Sequence, residues 1–319
     1  LTTTAIIVSR GISAGIEKAA KILMPTLIIM IVGLLIYAFT LPYSGVGLKY
    51  YLIPEFSELN LQTIGGALRQ AFFSLSLGMG ALITYGSYLS KKENIVSSAA
   101  LITLFDVGIA FIAGLMLFPI VAYSKGGDMT DVQGGAGLIF TVLPGVFESL
   151  GGTLGAIVGG GFFLLLSFAA LTSTVSLLEV PVSYIVDEHK KSRKAAVIIS
   201  AAVIFILGIP SLVGNGYSAF FTQFITYVGA DAPTDVMTFL GHLADTFLLL
   251  GGLLIVSFTA FVWKKESLYE ELSYGYVGFQ TSKVKTFLNF AITILCPALL
   301  AILFVLVVLS NFFGISIIN

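Results

Sequence analysis

The sequence predicts an all-α integral membrane protein, and three observations carry that expectation. Of the 319 residues 57% are hydrophobic and only 10% are charged, whereas a water-soluble domain carries about a quarter charged residues. Mean hydropathy is +1.02. Uninterrupted runs such as "ILMPTLIIMIVGLLIYAFTL" (Ile22 to Leu41) reach the roughly 20 residues that cross a bilayer as helix. The bilayer is therefore the first partner. A net charge of −1 with two histidines argues against a nucleic-acid partner. Cys296 is alone in an apolar run, which leaves neither a disulfide framework nor a cysteine metal site within the chain. The first residue is Leu1 and no cleavable signal with a basic start is present, which points to a fragment of a longer gene.

Seven complete spans are expected, at about Ile22–Leu41, Ile64–Leu89, Ile95–Tyr123, Thr153–Val186, Ala195–Val213, Ala244–Trp263 and Phe287–Phe313. The opening "LTTTAIIVS" is too short to span and reads as the tail of an earlier helix. Basic residues set the orientation. Arg10, Lys18, Lys21, Lys91, Lys92, Lys190, Lys191, Arg193, Lys194, Lys264, Lys265, Lys283 and Lys285 fall on one side, which is the cytoplasm; only Lys49, Arg69 and Lys125 fall on the other. A plasma (inner) membrane location follows as the expectation. The outer loop Ser124 to Gly152 has an apolar middle between turn residues and is expected to fold back toward the membrane. Gly151, Gly155 and Gly159 recur every four residues, a spacing that lets a neighbouring helix approach closely.

"FFSLSLGMG" (Phe72 to Gly80) interrupts the second span at mid-membrane. An interior glycine costs about 1 kcal/mol against alanine, and serine hydroxyls capture backbone groups, so a local break is expected. Lipid cannot satisfy broken backbone, which must line a protein-enclosed cavity; transporters build midplane ion and substrate sites from such discontinuous helices. A simple kink tolerated against a neighbouring helix fits the same local pattern. "FAALTSTVS" adds four mid-span hydroxyls, Thr172, Ser173, Thr174 and Ser176. Grouped hydroxyls with a carbonyl suit a small hard cation, although hydroxyls also bond back to the preceding turn. Asp106 lies near the centre of the third span, and an intramembrane carboxylate is expensive enough to suggest function. Glu179, about two turns after Thr172, reads better as a structural hydrogen-bonding group. No nucleophile–base pair or phosphate loop appears, so an enzyme is not expected.

Taken together, "GIEKAAKILMPTL", "FFSLSLGMGALITYGSY", "ALTSTVSLLEVP" and "VDEHKKSRKAAV" resemble the neurotransmitter:sodium symporter family, in its bacterial amino-acid branch. The resemblance runs through essentially the whole chain. It implies a LeuT-type fold of two inverted five-helix repeats followed by one or two extra helices. The chain then forms one transmembrane domain over residues 1–319, from the end of family helix four through helix eleven. The second repeat is complete and the first three helices are lacking. Because those helices supply part of each site in the family, the two expected Na⁺ sites are each incomplete here.

Carried over residue by residue, the resemblance makes Phe73 an aromatic lid over the substrate. Ser76 and Met79 line the pocket, and Leu177 and Ser173 contribute to it. Ser74 and Asp106 match the first Na⁺ site. Ala169 (through its carbonyl), Thr172 and Ser173 match the second. Asp245 resembles the outer-gate acid, whose usual partner lies on the missing first helix. Asp187, with Tyr88 nearby, resembles the inner gate, whose basic partner is likewise missing. Gly15 and Pro25 match a Gly-x9-Pro motif that lets the fifth family helix unwind; Pro25 also removes one helix hydrogen bond by itself.

The function this implies is Na⁺-coupled symport of hydrophobic L-amino acids by alternating access. Phe73, Ser76, Met79 and Leu177 place no fixed positive charge in the visible pocket, and the pliable Met79 suits side chains of several sizes. Relatives that do not need chloride place an acid near the first Na⁺. Asp106 is expected to supply that charge, with a proton carried back on the empty return step. The alternative is a transport-incompetent membrane fragment with a structural or assembly role.

Overall fold

A computed structural model of the chain describes residues 1–130, 132, 137–228 and 232–314. Among them, six helices are long and apolar enough to cross a membrane: Ile12–Thr40, Ile95–Ser124, Gly152–His189, Arg193–Val213, Val236–Val262 and Lys283–Phe313. Their outward faces are apolar, with Ile198, Phe205 and Leu207 each more than 60% exposed. That is the pattern of side chains meeting lipid instead of water. The second expected span is not continuous. It divides into a helix at Leu61–Ser74 and a short one at Ala81–Gly86, with positive φ at Ser76, Gly78 and Gly80 between them. Apart from an isolated bridge between Ile225 and Thr234, the described residues are helix, turn and irregular connection.

Three long helices contain π segments: Ile12–Glu17, Phe258–Val262 and Ala291–Leu295. At the first, Ile16 N–H donates to the Gly11 carbonyl five residues back, at 3.1 Å. Gly15 lies in that wide turn, where a Cβ would strike the Ile7 carbonyl oxygen. Pro25 follows inside Lys18–Thr40. The opening residues form a helix at Thr2–Ser9.

The chain divides into two compact units. One comprises residues 2–58 and 104–176. Its core interleaves Leu27, Ile31 and Leu34 with Met116 and Ile120, and with Leu143, Phe147 and Phe162. Small residues set the helix approach: a Cβ on Gly47 would strike the Phe118 carbonyl oxygen, and one on Gly155 the Phe147 carbonyl oxygen. A Cβ on Gly159 would stand 2.9 Å from the Phe147 ring. The Gly155 and Gly159 positions are thus where the Leu143–Ser149 helix leans on Gly152–His189. That short helix belongs to the loop expected to fold back; residues 131 and 133–136 of that loop lie outside the described residues.

The other unit comprises Leu1 and residues 59–103 and 177–319. Leu249, Leu300, Leu303 and Val307 form its membrane core, with Leu68, Phe72 and Leu253 packed against them. A second cluster gathers Tyr269, Leu272 and Phe279 on the side assigned to the cytoplasm. There, Tyr269 and Lys265 both donate to Asn289 Oδ1, at 3.0 and 3.2 Å. On the opposite side, Asp235 caps the Val236–Ser257 helix by accepting from the Thr238 amide at 2.9 Å and its hydroxyl at 2.8 Å.

Candidate functional site

The break after Ser74 follows from its residues. Leu75 N–H still donates to Ala71 O, but Ser76 N–H turns back to Phe73 O and Leu77 N–H reaches Phe72 O, at 3.0 Å each. Tight and wide turns succeed one another, and the helix ends. Ser76, Gly78 and Gly80 then take φ of +54°, +79° and +82°. The left-handed region is natural for glycine and costs about 1–2 kcal/mol for Ser76. Among the described residues, no backbone carbonyl receives the amides of Gly78, Met79 or Gly80.

Gly78 is also required by its neighbours. A Cβ there would collide with the Leu248 carbonyl oxygen and come within 2.9 Å of the Gly252 amide nitrogen. One on Gly251 would stand 2.5 Å from the Gly78 oxygen, and one on Gly252 would stand 2.7 Å from the Phe72 ring. The broken segment is therefore seated backbone to backbone on the Val236–Ser257 helix. Behind it lies a cavity of about 210 Å³, lined among others by Phe72, Ser76, Gly78, Ile255, Cys296 and Leu300. Of the residues expected around the substrate, only Ser76 lines this space; Phe73, Met79 and Leu177 do not. Phe73 and Leu177 are about half exposed, so the lid residue and the cavity occupy different faces of the segment.

The hydroxyl group of residues behaves differently. Thr172 Oγ1 donates to Ala169 O at 2.8 Å and Ser173 Oγ to the same oxygen at 3.3 Å. Three neutral oxygens thus meet at one point of the Gly152–His189 helix. Thr174 bonds Leu171 O at 3.0 Å and meets the buried Thr4 hydroxyl at 2.9 Å. Ser176 donates to Thr172 O at 3.2 Å. Each hydroxyl bonds back to its own helix, while Ala169, Thr172 and Ser173 additionally form a donor set whose chemistry fits a small hard monovalent cation. Asp106 is partly buried near the middle of Ile95–Ser124 and is engaged with its surroundings, as is Ser74. The two belong to different units.

Two of the expected gate residues, Asp245 and Tyr88, find partners inside the chain. Asp245 Oδ2 lies 3.8 Å from Arg69 Nη1, so a cation for it stands within this chain, on the Leu61–Ser74 helix. Tyr88 meets Glu179 instead of Asp187, donating its hydroxyl to Glu179 Oε1 at 2.7 Å. Arg193 pairs with the other carboxylate oxygen. Glu179 is fully buried, and both its oxygens are satisfied, as a buried carboxylate requires. Asp187 is exposed. Glu179 is the hydrogen-bonding group that the sequence predicts, whereas the sequence places Arg193 only among the basic residues of a cytoplasmic connection. The signal for Arg193 is its identity, the one arginine in "HKKSRK", since a planar guanidinium suits a carboxylate better than an ammonium does.

With this geometry in place, comparison with known proteins is informative. The family model of the Sodium:neurotransmitter symporter family matches residues 1–313. An uncharacterized sodium-dependent transporter of Haemophilus influenzae is 33% identical over 97% of this chain and 63% of its own. The uncharacterized sodium-dependent transporter YhdH of Bacillus subtilis is 39% identical over 68% of this chain and 47% of its own. Among solved structures, that of MhsT in complex with L-phenylalanine superposes with a TM-score of 0.78 at 37% identity, covering 95% of this chain and 65% of MhsT. The chain thus spans less than two thirds of the length of these relatives.

Proposed function

We propose a function from one premise: this chain belongs to the sodium:neurotransmitter symporter family. The reading is Na⁺-coupled symport of hydrophobic L-amino acids by alternating access, in the plasma (inner) membrane. The observation that carries it is the meeting of Ala169 O, Thr172 Oγ1 and Ser173 Oγ within 2.8–3.3 Å. Neutral oxygens at mid-membrane offer a monovalent cation a replacement for its hydration shell without a fixed charge that would hold a divalent one. Na⁺ is cargo here, and its inward electrochemical gradient would supply the driving force for the amino acid. Thr172 and Ser173 would turn their lone pairs from the helix toward the ion, and Ala169 would offer its carbonyl. Ser74 would offer its hydroxyl, and Asp106 its carboxylate, as Na⁺ ligands. Ser76 and Met79 would line the substrate pocket under Phe73, with Leu177 against the side chain.

The substrate class is supported by these side chains, which are apolar or neutral, and by the L-phenylalanine bound to MhsT. Relatives include a sodium-dependent serotonin transporter of Drosophila melanogaster at 29% identity; a cationic amine would call for an acid at the pocket, where this chain offers Ser76 and Met79. The experiment is uptake of labelled L-leucine and L-phenylalanine by proteoliposomes holding the protein that contains this chain, with external Na⁺ or choline. Uptake is expected only with Na⁺. Replacing both Thr172 and Ser173 by Ala should lower the apparent Na⁺ affinity at least tenfold. Undiminished uptake in choline would end the proposal.

A further inference from the structure

We infer that Arg69 is a positioning residue: by pairing with Asp245 it sets how the outer half of the broken helix sits, and with it the placement of Phe73 and Ser74. The inference rests on the transport reading above and adds to it a residue that neither the Na⁺ ligands nor the pocket contains.

Three observations on one helix face carry it. Asp245, Leu248 and Gly252 follow at intervals of three and four along Val236–Ser257, which places them in one stripe. Asp245 meets Arg69 at 3.8 Å. The Leu248 carbonyl oxygen lies where a side chain on Gly78 would have to go, and Gly252 leaves room for the Phe72 ring. One stripe thus receives the segment at three points, two of them uncharged close approaches and the outermost an ion pair. Close approaches fix how near two elements can come. They resist sliding and rotation poorly, because a glycine surface has no side chain to interlock. The charged contact is the directional one.

Phe73 stands four residues after Arg69, one turn on along the same side of Leu61–Ser74, and Ser74 follows it. A rotation of this helix that lengthens the Arg69–Asp245 contact therefore carries the proposed lid and ion ligand with it. The two side chains are 46% and 33% exposed. On the outer side, where the charge pattern assigns Arg69, an ion pair this open stabilises a fold little, and it is poorly suited to being a structural clasp. It is well suited to biasing a mobile element by a few-fold, in a way that salt can screen.

The test uses the protein that contains this chain, in proteoliposomes, with Cys296 and every other native cysteine of that protein replaced by Ala and with Phe73→Cys as a reporter. The reporter is labelled from the aqueous side with a permanently charged methanethiosulfonate. Arg69→Gln is expected to change the labelling rate about two- to fivefold. Arg69→Lys should retain most of the parent rate, and Arg69→Asp with Asp245→Arg should restore it. Raising ionic strength with choline chloride from about 0.01 M to about 0.5 M should move the parent toward the Arg69→Gln rate and leave Arg69→Gln where it is. In uptake with Phe73 intact, Arg69→Gln should shift KM for the amino acid by a similar factor with little change in Vmax. Equal labelling rates in parent and Arg69→Gln, or charge reversal without restoration, overturns the inference. A protein with Phe73 and Arg69 intact that shows no Na⁺-dependent uptake overturns the transport reading instead, and the labelling comparison still decides the role of Arg69.

Discussion

Glu179 has one oxygen on a phenol and the other on a guanidinium, with its side chain wholly out of solvent. Removing one partner of such a pair leaves an uncompensated buried charge, which costs about 3–5 kcal/mol. Arg193→Gln should therefore lower the thermal unfolding midpoint in detergent markedly. Replacing Glu179 and Arg193 together by leucine should recover most of that loss, since an apolar pair of similar volume is often neutral. A double variant as unstable as the single one would show that the carboxylate is not the source. Gly78 makes a different demand. Gly78→Ala adds a left-handed penalty of about 1–2 kcal/mol and a collision with the Leu248 carbonyl oxygen, so it should abolish uptake while Gly65→Ala, in open space on the preceding Leu61–Ser74 helix, leaves the protein intact. The glycines and serines of the break were legible because each type states its backbone preference locally. The Arg193 contact was not, because 14 residues of sequence hide a helix end and a turn, and a lysine-rich stretch reads first as a topology signal.

Elements show the same division between local and tertiary causes. Asp235 ends the irregular outer loop and begins the Val236–Ser257 helix, and the Thr238 amide and hydroxyl beside its carboxylate hold its pKa below the usual value. A depressed carboxylate contributes stability that is fully present above its unfolded pKa and is lost as pH falls through the folded one. Asp235→Ala should cost about 1 kcal/mol at neutral pH. The gap between it and the parent, read as unfolding midpoints against pH, should close on acidification below the ordinary Asp range. A gap that persists in acid would assign the cost to something other than the charged cap. Gly159→Leu should be more severe, because the added side chain would occupy the place of the Phe147 ring; lower yield of folded protein measures it. The packing role of that glycine spacing was readable from its period. The π segments were not: "FTAFV" and "AITIL" are ordinary apolar sequence, and only neighbours decide that a helix widens there. The break itself was readable, whereas the seating of the broken segment on Leu248 and Gly252 joins residues about 170 positions apart, which no local pattern encodes.

For the molecule as a whole, charge distribution assigns the orientation, and on the proposed reading Asp106 would be the residue through which charge enters coupling. The basic residues place the Lys264–Lys285 connection in the cytoplasm and Lys49 and Lys125 outside. Asp106 lies between these sides, in the middle of Ile95–Ser124 and engaged with its surroundings. One turn on stands Ala110, so this helix face supplies no second acid. If Asp106 is both an oxygen ligand of the first Na⁺ and the negative charge that offsets it, no external anion is needed on loading. Uptake should then persist when chloride is replaced by gluconate. Asp106→Asn retains an oxygen but lacks the charge, so it should weaken the apparent Na⁺ affinity about tenfold. An Asp that only hydrogen-bonds a neighbouring helix predicts an Asn variant indistinguishable from the parent. The decisive readings are initial uptake rates of parent and variant against external Na⁺, in chloride and in gluconate. A parent whose uptake collapses in gluconate would remove Asp106 from the compensating role.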